Sequence, residues 1–272
     1  MNKLFIVKIG GNVIDEPFAL ASFLDDFAKL SSPLPGHGAK CVLVHGGGKI
    51  ATAIGEKLGI KPNYTNGRRI TDDATVDLVT MVYGGLINKK IVAKLQSLEC
   101  NALGLTGADG NIIPAIKRPV KDIDFGWVGD VESSRVKVES LQLLLEGKFV
   151  PVVAPLTHDE QGHMLNTNAD TIASSLAVAL SSYYDVRLIY CFEKKGVLEN
   201  VEDEHSVIQI IDKEKYKRLV AEEKLFAGII PKIDNAFDAI SAGVKEVLIG
   251  DAKDILTNVG TNTTGTLIRN LC

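Results

Sequence analysis

The sequence lacks the features that mark membrane-spanning, secreted and disulfide-bonded proteins. No apolar run in its 272 residues approaches the roughly 18 residues that a membrane span needs. The N-terminal segment has no long apolar stretch followed by a small-residue cleavage site, as a signal peptide would. The four cysteines (Cys41, Cys100, Cys191 and Cys272) are far apart and form no CxxC pair, which argues against a zinc site and a disulfide framework. We therefore expect a reduced, cytoplasmic protein that does not associate with membranes.

The sequence also has no excess of positive charge. Its 30 Lys and Arg against 34 Asp and Glu give a net charge of −4. Nucleic-acid binding without sequence preference needs clustered cations, so we expect no nucleic-acid partner. Apolar residues make up 46% of the chain and charged residues 24%, which excludes a disordered or fibrous protein and suffices for a sizeable core.

Short apolar runs alternate with segments of helical periodicity. The runs cover residues 4–9, 41–44, 102–105, 150–154, 187–191 and 246–249, and the helical patterns cover 17–29, 49–58, 74–98, 169–180 and 232–242. Runs that are apolar at nearly every position suit strands buried on both faces of a parallel sheet, so the pattern predicts a doubly wound α/β fold. The polar, Pro- and Gly-containing segment 111–138 predicts inserted β-hairpins. A turn cluster at 155–162 suggests two lobes, residues 1–155 and 156–272.

Two of the predicted strands end in glycine clusters, Gly10–Gly11 and Gly46–Gly48. Glycines at a strand-to-helix turn let backbone N–H groups approach an anion, and the helix that follows adds its positive end. A tight turn is the alternative, but it rarely needs three consecutive glycines. Neither cluster is a P-loop or a GxGxxG motif. His45 followed by three glycines also resembles an esterase oxyanion hole, but the chain has no GxSxG nucleophile motif.

Several charged and polar side chains stand beside these turns. Lys8 lies near the end of an apolar strand, where burial is costly unless an anion meets the ammonium group; an edge position reaching water is the alternative. Lys232 opens a helix after Pro231, the end that disfavours a cation, so it either faces an anionic ligand or swings into water. Asn168 and Asp170 suit helix capping, which needs only one of them.

Arg68 and Arg69 are predicted to lie in a turn. Arginine suits bidentate binding of a carboxylate or phosphate. An exposed, solvated pair is the alternative, and Arg68 is interpreted in that way.

Taken in order, these segments resemble the amino-acid kinase family, and within it the N-acetylglutamate kinases. The matching segments are Lys8-Ile9-Gly10-Gly11, His45-Gly46-Gly47-Gly48, Asn66-Gly67-Arg68-Arg69-Ile70-Thr71, Asn166-Thr167-Asn168-Ala169-Asp170, Gly228-Ile229-Ile230-Pro231-Lys232 and Gly265-Thr266-Leu267-Ile268. Each is weak alone, but the ordered set spans almost the entire chain. The resemblance implies an open, mainly parallel, eight-stranded sheet between helices, with the β-hairpin insertion in the N-terminal lobe.

The resemblance also implies an activity: ATP-dependent phosphorylation of the side-chain carboxylate of an N-acylated glutamate, the second step of arginine biosynthesis. The N-terminal lobe would bind the amino acid and the C-terminal lobe ATP, with Mg²⁺ held through the ATP phosphates and no metal ligands from the chain. The implied catalytic residues are Lys8, Lys232, Asp170 and Gly11, and the implied substrate-binding residues are Gly46, Gly47, Arg69 and Asn166. Gly11 and Gly47 would offer N–H groups to the transferred phosphoryl group.

The nucleotide loop departs from the family pattern. Relatives often carry Asp-Val-Xaa-Gly after the strand, where this chain has Phe192-Glu193-Lys194-Lys195-Gly196-Val197-Leu198. Glu193 would replace the aspartate, and Lys195 is interpreted as solvated. The implied nucleotide-binding residues are Glu193, Lys194, Gly196, Leu198, Lys224, Leu225 and Phe226.

Three questions stay open at this point. The acyl group could be acetyl or succinyl, whose extra carboxylate would need another cation, with Arg68 as a partner. The activity could be that of a kinase for another carboxylate or a carbamate, or the chain could be a non-catalytic sensor. Residues 74–98, apolar on more than one face, form either a core helix or a dimer surface. Arginine-regulated relatives carry an additional N-terminal helix for which this chain has no room before Lys8, so we expect a homodimer insensitive to arginine.

Overall fold

An eight-stranded sheet forms the centre of the molecule. The computed structural model describes residues 2–31, 39–65, 67–200, 202–225 and 228–270. The strands are β1 (Lys3–Ile9), β2 (Lys40–His45), β3 (Asn63–Thr65), β4 (Arg68–Ile70), β5 (Ala102–Leu105), β6 (Ile116–Lys117), β7 (Gly129–Asp130), β8 (Val150–Val153), β9 (Leu156–His158), β10 (Met164–Asn166), β11 (Asp185–Phe192), β12 (Ile210–Ile211), β13 (Glu246–Asp251) and β14 (Thr266–Ile268).

The helices connect these strands. They are α1 (Gly11–Asp15), α2 (Pro17–Ser31), α3 (Gly48–Lys57), α4 (Asp73–Val79), α5 (Asn88–Gln96), α6 (Val138–Glu146), α7 (Ala169–Leu180), α8 (Lys213–Ala221), α9 (Ile230–Ser241) and α10 (Ile255–Asn258). A π-helical segment, Thr80–Ile87, joins α4 to α5, and three short 3₁₀ turns cover Asp109–Asn111, Ser133–Arg135 and Ala252–Asp254. Within the described ranges, no helix is long and apolar enough to cross a bilayer.

The strand order in the main sheet is β12-β14-β13-β11-β1-β2-β8-β5. Every neighbouring pair is parallel except β13 and β14, which are antiparallel. The mainly parallel, eight-stranded α/β sheet is therefore confirmed. The four strands on the β1 side come from residues before 155 and the four on the β11 side from residues after 156, so β1 and β11 join the two halves.

Alternation along β1 explains how the sheet is covered on both faces. Leu4 and Ile6 pack in the core with α7 and α9, whereas Phe5, Val7 and Ile9 pack in the core with α2 and α5. Successive side chains of a strand point to opposite faces, so Lys8 continues the face of Leu4 and Ile6. The strand thereby directs this lysine toward α7 and α9.

The structure differs from the sequence-based prediction in its short elements. Arg68 and Arg69 were predicted in a turn but lie in β4, which pairs with β3 in a hairpin; Gly67, with φ 73°, provides the turn. The predicted helix 74–98 is interrupted by the π-helical segment. The predicted hairpin insertion is present as β6 and β7, which pair antiparallel. Helices α6 and α8, the short edge strand β12 and its neighbour β14 were not predicted.

Candidate active site

The loops that follow β1, β2 and β11 meet at one edge of the sheet. Ile9 is in register with both His45 and Cys191, so the three neighbouring strands end at the same level. The carboxyl ends of parallel strands are where open α/β sheets bind ligands. The glycine turn after β1 therefore lies between the glycine turn after β2 and the loop that begins at Glu193.

Lys8 is buried and pairs with Asp170. Its side chain is 10% exposed, and its Nζ lies 2.7 Å from Asp170 Oδ1, a carboxylate on the first turn of α7. Asn168 caps this helix, because its Oδ1 accepts hydrogen bonds from the N–H groups of Asp170 (2.7 Å) and Thr171 (3.1 Å). Capping is thus the work of Asn168, and the Asp170 carboxylate is left to meet Lys8.

Lys232 approaches the same point from α9. Its Nζ lies 3.4 Å from the centroid of the Phe192 ring, and Lys8 Nζ lies 6.0 Å from the centroid of that ring. Burial lowers the pKa of Lys232, Asp170 and Glu193 act to raise it, and Lys8 acts to lower it. Two ammonium groups that are distant in sequence therefore converge beside one carboxylate, as expected for a site that receives an anion.

A cleft of about 480 Å³ opens over these groups. The described residues that line it include the predicted site residues Gly46, Gly47, Arg69, Asn166, Asp170 and Lys232. Tyr64, Tyr83, Arg118 and Asn235 also line it and were not singled out from the sequence. These four residues lie outside the sequence motifs described above, so no local pattern distinguished them from ordinary surface or core residues.

Arg69 is held rigidly at the wall of this cleft. Its Nη2 donates to the carbonyl of Gly48 (3.0 Å) and to Thr52 Oγ1 (2.7 Å), and its guanidinium lies 4.8 Å from the centroid of the Tyr64 ring. Asn166, which lines the same cleft, donates a hydrogen bond through Nδ2 to Thr71 Oγ1 at 3.0 Å. The Tyr83 hydroxyl also interacts with the Arg69 guanidinium, whose planar group suits bidentate binding of a carboxylate.

The two glycine turns differ in position: Gly46, Gly47 and Gly48 line the cleft, whereas Gly10 and Gly11 are not among its lining residues. Gly46 N–H donates to the carbonyl of Ile9 at 3.2 Å and is thereby used within the fold. Gly47 N–H has no acceptor in the part of the chain that the structure describes. Gly11 is the first residue of α1, where the N–H group has no intrahelical acceptor. Gly47 and Gly11 therefore offer N–H groups to an anion.

Gly47 cannot be replaced without cost. Its φ of 153° lies in the region that favours glycine, and a Cβ atom there would stand 2.3 Å from Ile87 Cδ1. The side chains of Ile87 and Tyr83, on the π-helical segment, thus fill the space beside the turn.

An apolar pocket of about 240 Å³ adjoins the cleft. Its described lining residues are Phe192, Glu193, Lys194, Gly196, Val197, Leu198, Ile229, Lys232 and Ile249. Four of the predicted nucleotide-binding residues, Glu193, Lys194, Gly196 and Leu198, are thus brought together. Lys232 lines both the pocket and the cleft, so it stands where the two meet. Phe192, Ile229 and Ile249 were missed because apolar residues at strand and helix ends look like ordinary core.

The segment at the chain's closing motif supports this pocket. Thr266 Oγ1 accepts a hydrogen bond from Val197 N–H at 2.8 Å, and a Cβ atom on Gly196 would stand 2.6 Å from the same oxygen. Strand β14 therefore fixes the course of the nucleotide loop.

The remaining predicted nucleotide-binding residues are Lys224, Leu225 and Phe226. Lys224 pairs with Glu222 at 3.0 Å, a contact that raises the pKa of the lysine, and the Leu225 side chain is buried in the core. Neither lines the apolar pocket. Phe226 lies outside the described residues. No group of three or more His, Cys, Asp or Glu side chains suited to hold a metal ion occurs in the described ranges.

A model of the amino acid kinase family matches residues 3–251. The chain belongs to the amino acid kinase family. It is 55% identical over 265 residues to an acetylglutamate kinase of Cytophaga hutchinsonii, an alignment that covers 97% of each chain. The fold of the family is also found in two solved structures. One is N-acetylglutamate synthase from Neisseria gonorrhoeae in complex with coenzyme A and N-acetyl-glutamate: its TM-score is 0.82 and its identity 21%, and the match covers 99% of this chain and 60% of that longer one. The other is carbamate kinase from Giardia lamblia bound to AMP-PNP, with a TM-score of 0.70, 14% identity and 99% of each chain covered.

Proposed function

We propose that this member of the amino acid kinase family transfers the γ-phosphoryl group of ATP to the side-chain carboxylate of N-acetyl-L-glutamate, which is the second step of arginine biosynthesis. The observation that carries the proposal is the position of Lys232, which lines both the polar cleft and the apolar pocket, near Asp170, which lines the cleft and forms an ion pair with the buried Lys8. Identity of 55% to an acetylglutamate kinase over nearly the whole chain supports the choice of substrate.

The geometry suits the chemical difficulty of this reaction. A carboxylate is ionised at pH 7, so it attacks the γ-phosphorus without a general base, and the bond from that phosphorus to the bridging oxygen of ADP breaks. The barrier is the approach of two anions, which is lowered mainly by positioning and by positive charge around the transferred group. Lys8 and Lys232 supply the charge, Asp170 aims them, and the N–H groups of Gly11 and Gly47 donate to the phosphoryl oxygens.

The donor set of the cleft fits a magnesium–nucleotide complex bound through its phosphates. Ammonium and amide N–H groups bind phosphate oxygens but cannot ligate a metal ion. We propose that Mg²⁺ is held by the ATP phosphates and neutralises part of their charge when bound. Lys8, Lys232 and the glycine amides then bind the oxygens that face the protein.

Each half of the chain is proposed to bind one substrate. Residues 1–155 would bind the amino acid, because they contribute Gly46, Gly47 and Arg69 to the polar cleft. Residues 156–272 would bind ATP, because the apolar pocket is lined from this half alone. Glu193, Lys194, Gly196 and Leu198 are proposed nucleotide contacts, and the binding of nucleotide by Lys224, Leu225 and Phe226 stays a prediction.

The reaction is tested by measuring ADP release with N-acetyl-L-glutamate and trapping the acyl phosphate with hydroxylamine. We expect ADP and hydroxamate in equal amounts. Turnover only with another carboxylate or with carbamate would replace the substrate while keeping the chemistry. A thermal shift with N-acetyl-L-glutamate and no ADP from any acceptor would instead indicate a non-catalytic sensor.

A second acyl substrate is favoured by a recess beside the cleft whose charged lining residues are Arg68, Arg118, Lys121, Asp122 and Asp130. The recess, of about 510 Å³, shares Arg68 and Arg118 with the cleft and also contains Lys121. Arg118 is paired with Asp130 at 2.5 Å, whereas Arg68 makes no ion pair with any described residue. We propose that Arg68 can bind the extra carboxylate of N-succinyl-L-glutamate.

This acyl selectivity is tested by comparing the two acyl-glutamates. Arg68→Gln should lower kcat/KM for the succinyl substrate by roughly tenfold, the scale of one charge-assisted hydrogen bond, and leave the acetyl substrate within twofold. Equal effects on both substrates would exclude this role for Arg68.

The π-helical segment is the proposed dimer surface. Met81 and Leu86 on this segment are exposed, although the same stretch buries Val82, Tyr83 and Ile87. We propose that the protein forms a homodimer. We also propose that it is cytoplasmic, because the described Cys41, Cys100 and Cys191 form no disulfide, as expected in a reducing compartment. Sedimentation of the purified protein tests the dimer.

A further inference from the structure

His45 is the last residue of β2, and both nitrogens of its fully buried ring are occupied. Nδ1 lies 2.8 Å from the carbonyl oxygen of Gly46, and Nε2 lies 3.2 Å from Nδ2 of Asn88. A carbonyl oxygen only accepts and an amide nitrogen only donates. The ring therefore carries its hydrogen on Nδ1, donates it to Gly46 and accepts from Asn88 through Nε2. No ring nitrogen is left to exchange a proton with a substrate.

Asn88 is itself fixed in orientation. Its Nδ2 also donates to the carbonyl of Val152 at 2.9 Å, and its Oδ1 accepts from Lys89 Nζ at 3.2 Å. Lys89 Nζ donates in addition to the carbonyl of Gly104 at 3.1 Å. Because a donor faces Oδ1 and two acceptors face Nδ2, the amide cannot turn over without losing all of these contacts.

The hydrogen bond from the His45 ring to the Gly46 carbonyl determines where the N–H group of Gly47 points. The carbonyl of Gly46 and the N–H of Gly47 belong to one planar peptide unit, and in a trans peptide these two groups point in opposite directions. The structure contains no cis peptide among the described residues. Since the carbonyl is directed at the His45 ring, the Gly47 N–H is directed away from that ring, and Gly47 itself lines the cleft.

We propose that His45, held by Asn88, is a positioning residue that aims the Gly47 N–H group at the transferred phosphoryl group. The inference rests on the proposed function in one respect, the role of the Gly47 amide. A donor that is already aimed costs no reorganisation during the reaction, and a displacement of about 1 Å can cost about a hundredfold in rate. The glycines at positions 46 and 47 give this peptide unit wide conformational freedom, which the hydrogen bond from the His45 ring restricts.

Two variants of similar size separate this role from a purely structural one. In His45→Asn the side-chain amide reaches the position of Nδ1 and can still donate to Gly46. In His45→Gln the amide reaches the position of Nε2, keeps Asn88 as a partner and leaves the carbonyl of Gly46 without its donor. We expect His45→Asn to retain kcat within about fivefold and His45→Gln to lose at least about tenfold, with KM for either substrate changed less than threefold. Equal kcat values, or a more active His45→Gln, would overturn the proposal.

A spectroscopic measurement on the unaltered protein tests the same geometry without turnover. Long-range ¹H–¹⁵N spectra of histidine-labelled protein report the tautomer of each ring, and His45→Asn identifies the signal by its loss. We expect a single Nδ1–H tautomer for His45, and an Nε2–H tautomer would refute the inference at any level of activity. Absence of ADP release from a protein that shows the expected tautomer would refute the proposed function instead.

Discussion

At the scale of single residues, the site depends on charged side chains that are partly or fully shielded from water. Lys8 and Lys232 are held near each other although like charges repel, and Asp170 provides the compensating charge. Lys8 is buried and Lys232 is half-buried, so both ammonium groups lose hydration that an anionic ligand can replace. The arrangement is thus costly in the free protein and favourable once phosphate is bound.

Removal of either ammonium group should therefore lower the turnover rate strongly and leave the protein folded. Lys8→Met and Lys232→Met are expected to lower kcat by about a hundredfold or more, on the scale of one preorganised donor. ADP-release kinetics measure the effect, and circular dichroism checks the fold. Lys217→Met, on the exposed side of α8, is the matched control and should keep full activity. Near-normal turnover of either folded variant would remove that lysine from the mechanism.

The two neighbouring glycines Gly47 and Gly48 should respond differently to the same substitution. A Cβ atom on Gly47 meets Ile87 and Tyr83 and the residue has a φ of 153°, whereas a Cβ atom on Gly48 meets nothing within 4 Å. Gly47→Ala is expected to destabilise the fold by about 2 kcal/mol or more, and Gly48→Ala to be neutral or stabilising by a few tenths. Urea denaturation measures both, and equal losses would contradict the structural account.

At the scale of elements, the nucleotide pocket depends on a strand that contributes no side chain to its lining. Thr266 on β14 accepts the hydrogen bond of Val197 N–H, and both residues are buried. A buried N–H group deprived of its acceptor costs about 1–3 kcal/mol unless the loop moves. The loop after β11 is therefore held in place by the last strand of the sheet.

Thr266→Val tests this support, because valine has nearly the same shape but no oxygen. We expect KM for ATP to rise about fivefold or more, and KM for the acyl-glutamate to stay within twofold, as the change displaces only the nucleotide loop. Initial-rate kinetics with each substrate varied in turn give the two values. Thr261→Val, at an exposed position nearby, should change neither, and a uniform loss of kcat in Thr266→Val would argue against a specific role.

At the scale of the whole molecule, the buried imidazole of His45 links stability to pH. Burial lowers its pKa from 6.5 to about 4, so the folded protein binds this proton only at lower pH than the unfolded chain does. The unfolded state therefore binds more protons between these values, and stability contributed by the neutral ring is present above pH 6.5 and is lost as pH falls toward 4.

The loss should amount to about 3 kcal/mol over that interval, at about 1.4 kcal/mol per pH unit. Free energies of unfolding from urea titrations between pH 7 and pH 4.5 measure it. His45→Asn, which cannot titrate, should show a shallower dependence than the unaltered protein. Parallel curves for the two proteins would show that other groups account for the acid sensitivity.

Much of the architecture could be predicted from sequence because the long strands are apolar on both faces. The runs that became β1, β2, β5, β8, β11 and β13 were recognised in this way. Strands β12 and β14 are two and three residues long and carry too little pattern, and the paired arginines were misassigned because the strands of their hairpin are also only three residues long.

The candidate site was predicted in part, and mainly through resemblance. The motifs identified Lys8, Asp170 and Lys232 as site residues. The three residues come together only because β1 and β11 are neighbouring strands and α7 and α9 pack on the same face of the sheet. Phe192, whose ring lies near Lys8 and Lys232, was not predicted as a site residue, because an aromatic residue at the end of a buried strand has no distinguishing pattern. The contact between His45 and Asn88 joins residues 43 positions apart and required coordinates.

The π-helical segment has a consequence for how far the molecule tolerates insertions and deletions. Its wider winding uses more residues per turn than the 3.6 of an α-helix, so Asn88 stands at a different angle around the axis than uninterrupted winding from Asp73 would give it. A single-residue deletion between Thr80 and Ile87 that tightened the coil would turn Asn88 away from His45. Such a change would disturb catalysis from outside the cleft, and alignments of relatives should therefore show constant spacing between the two residues.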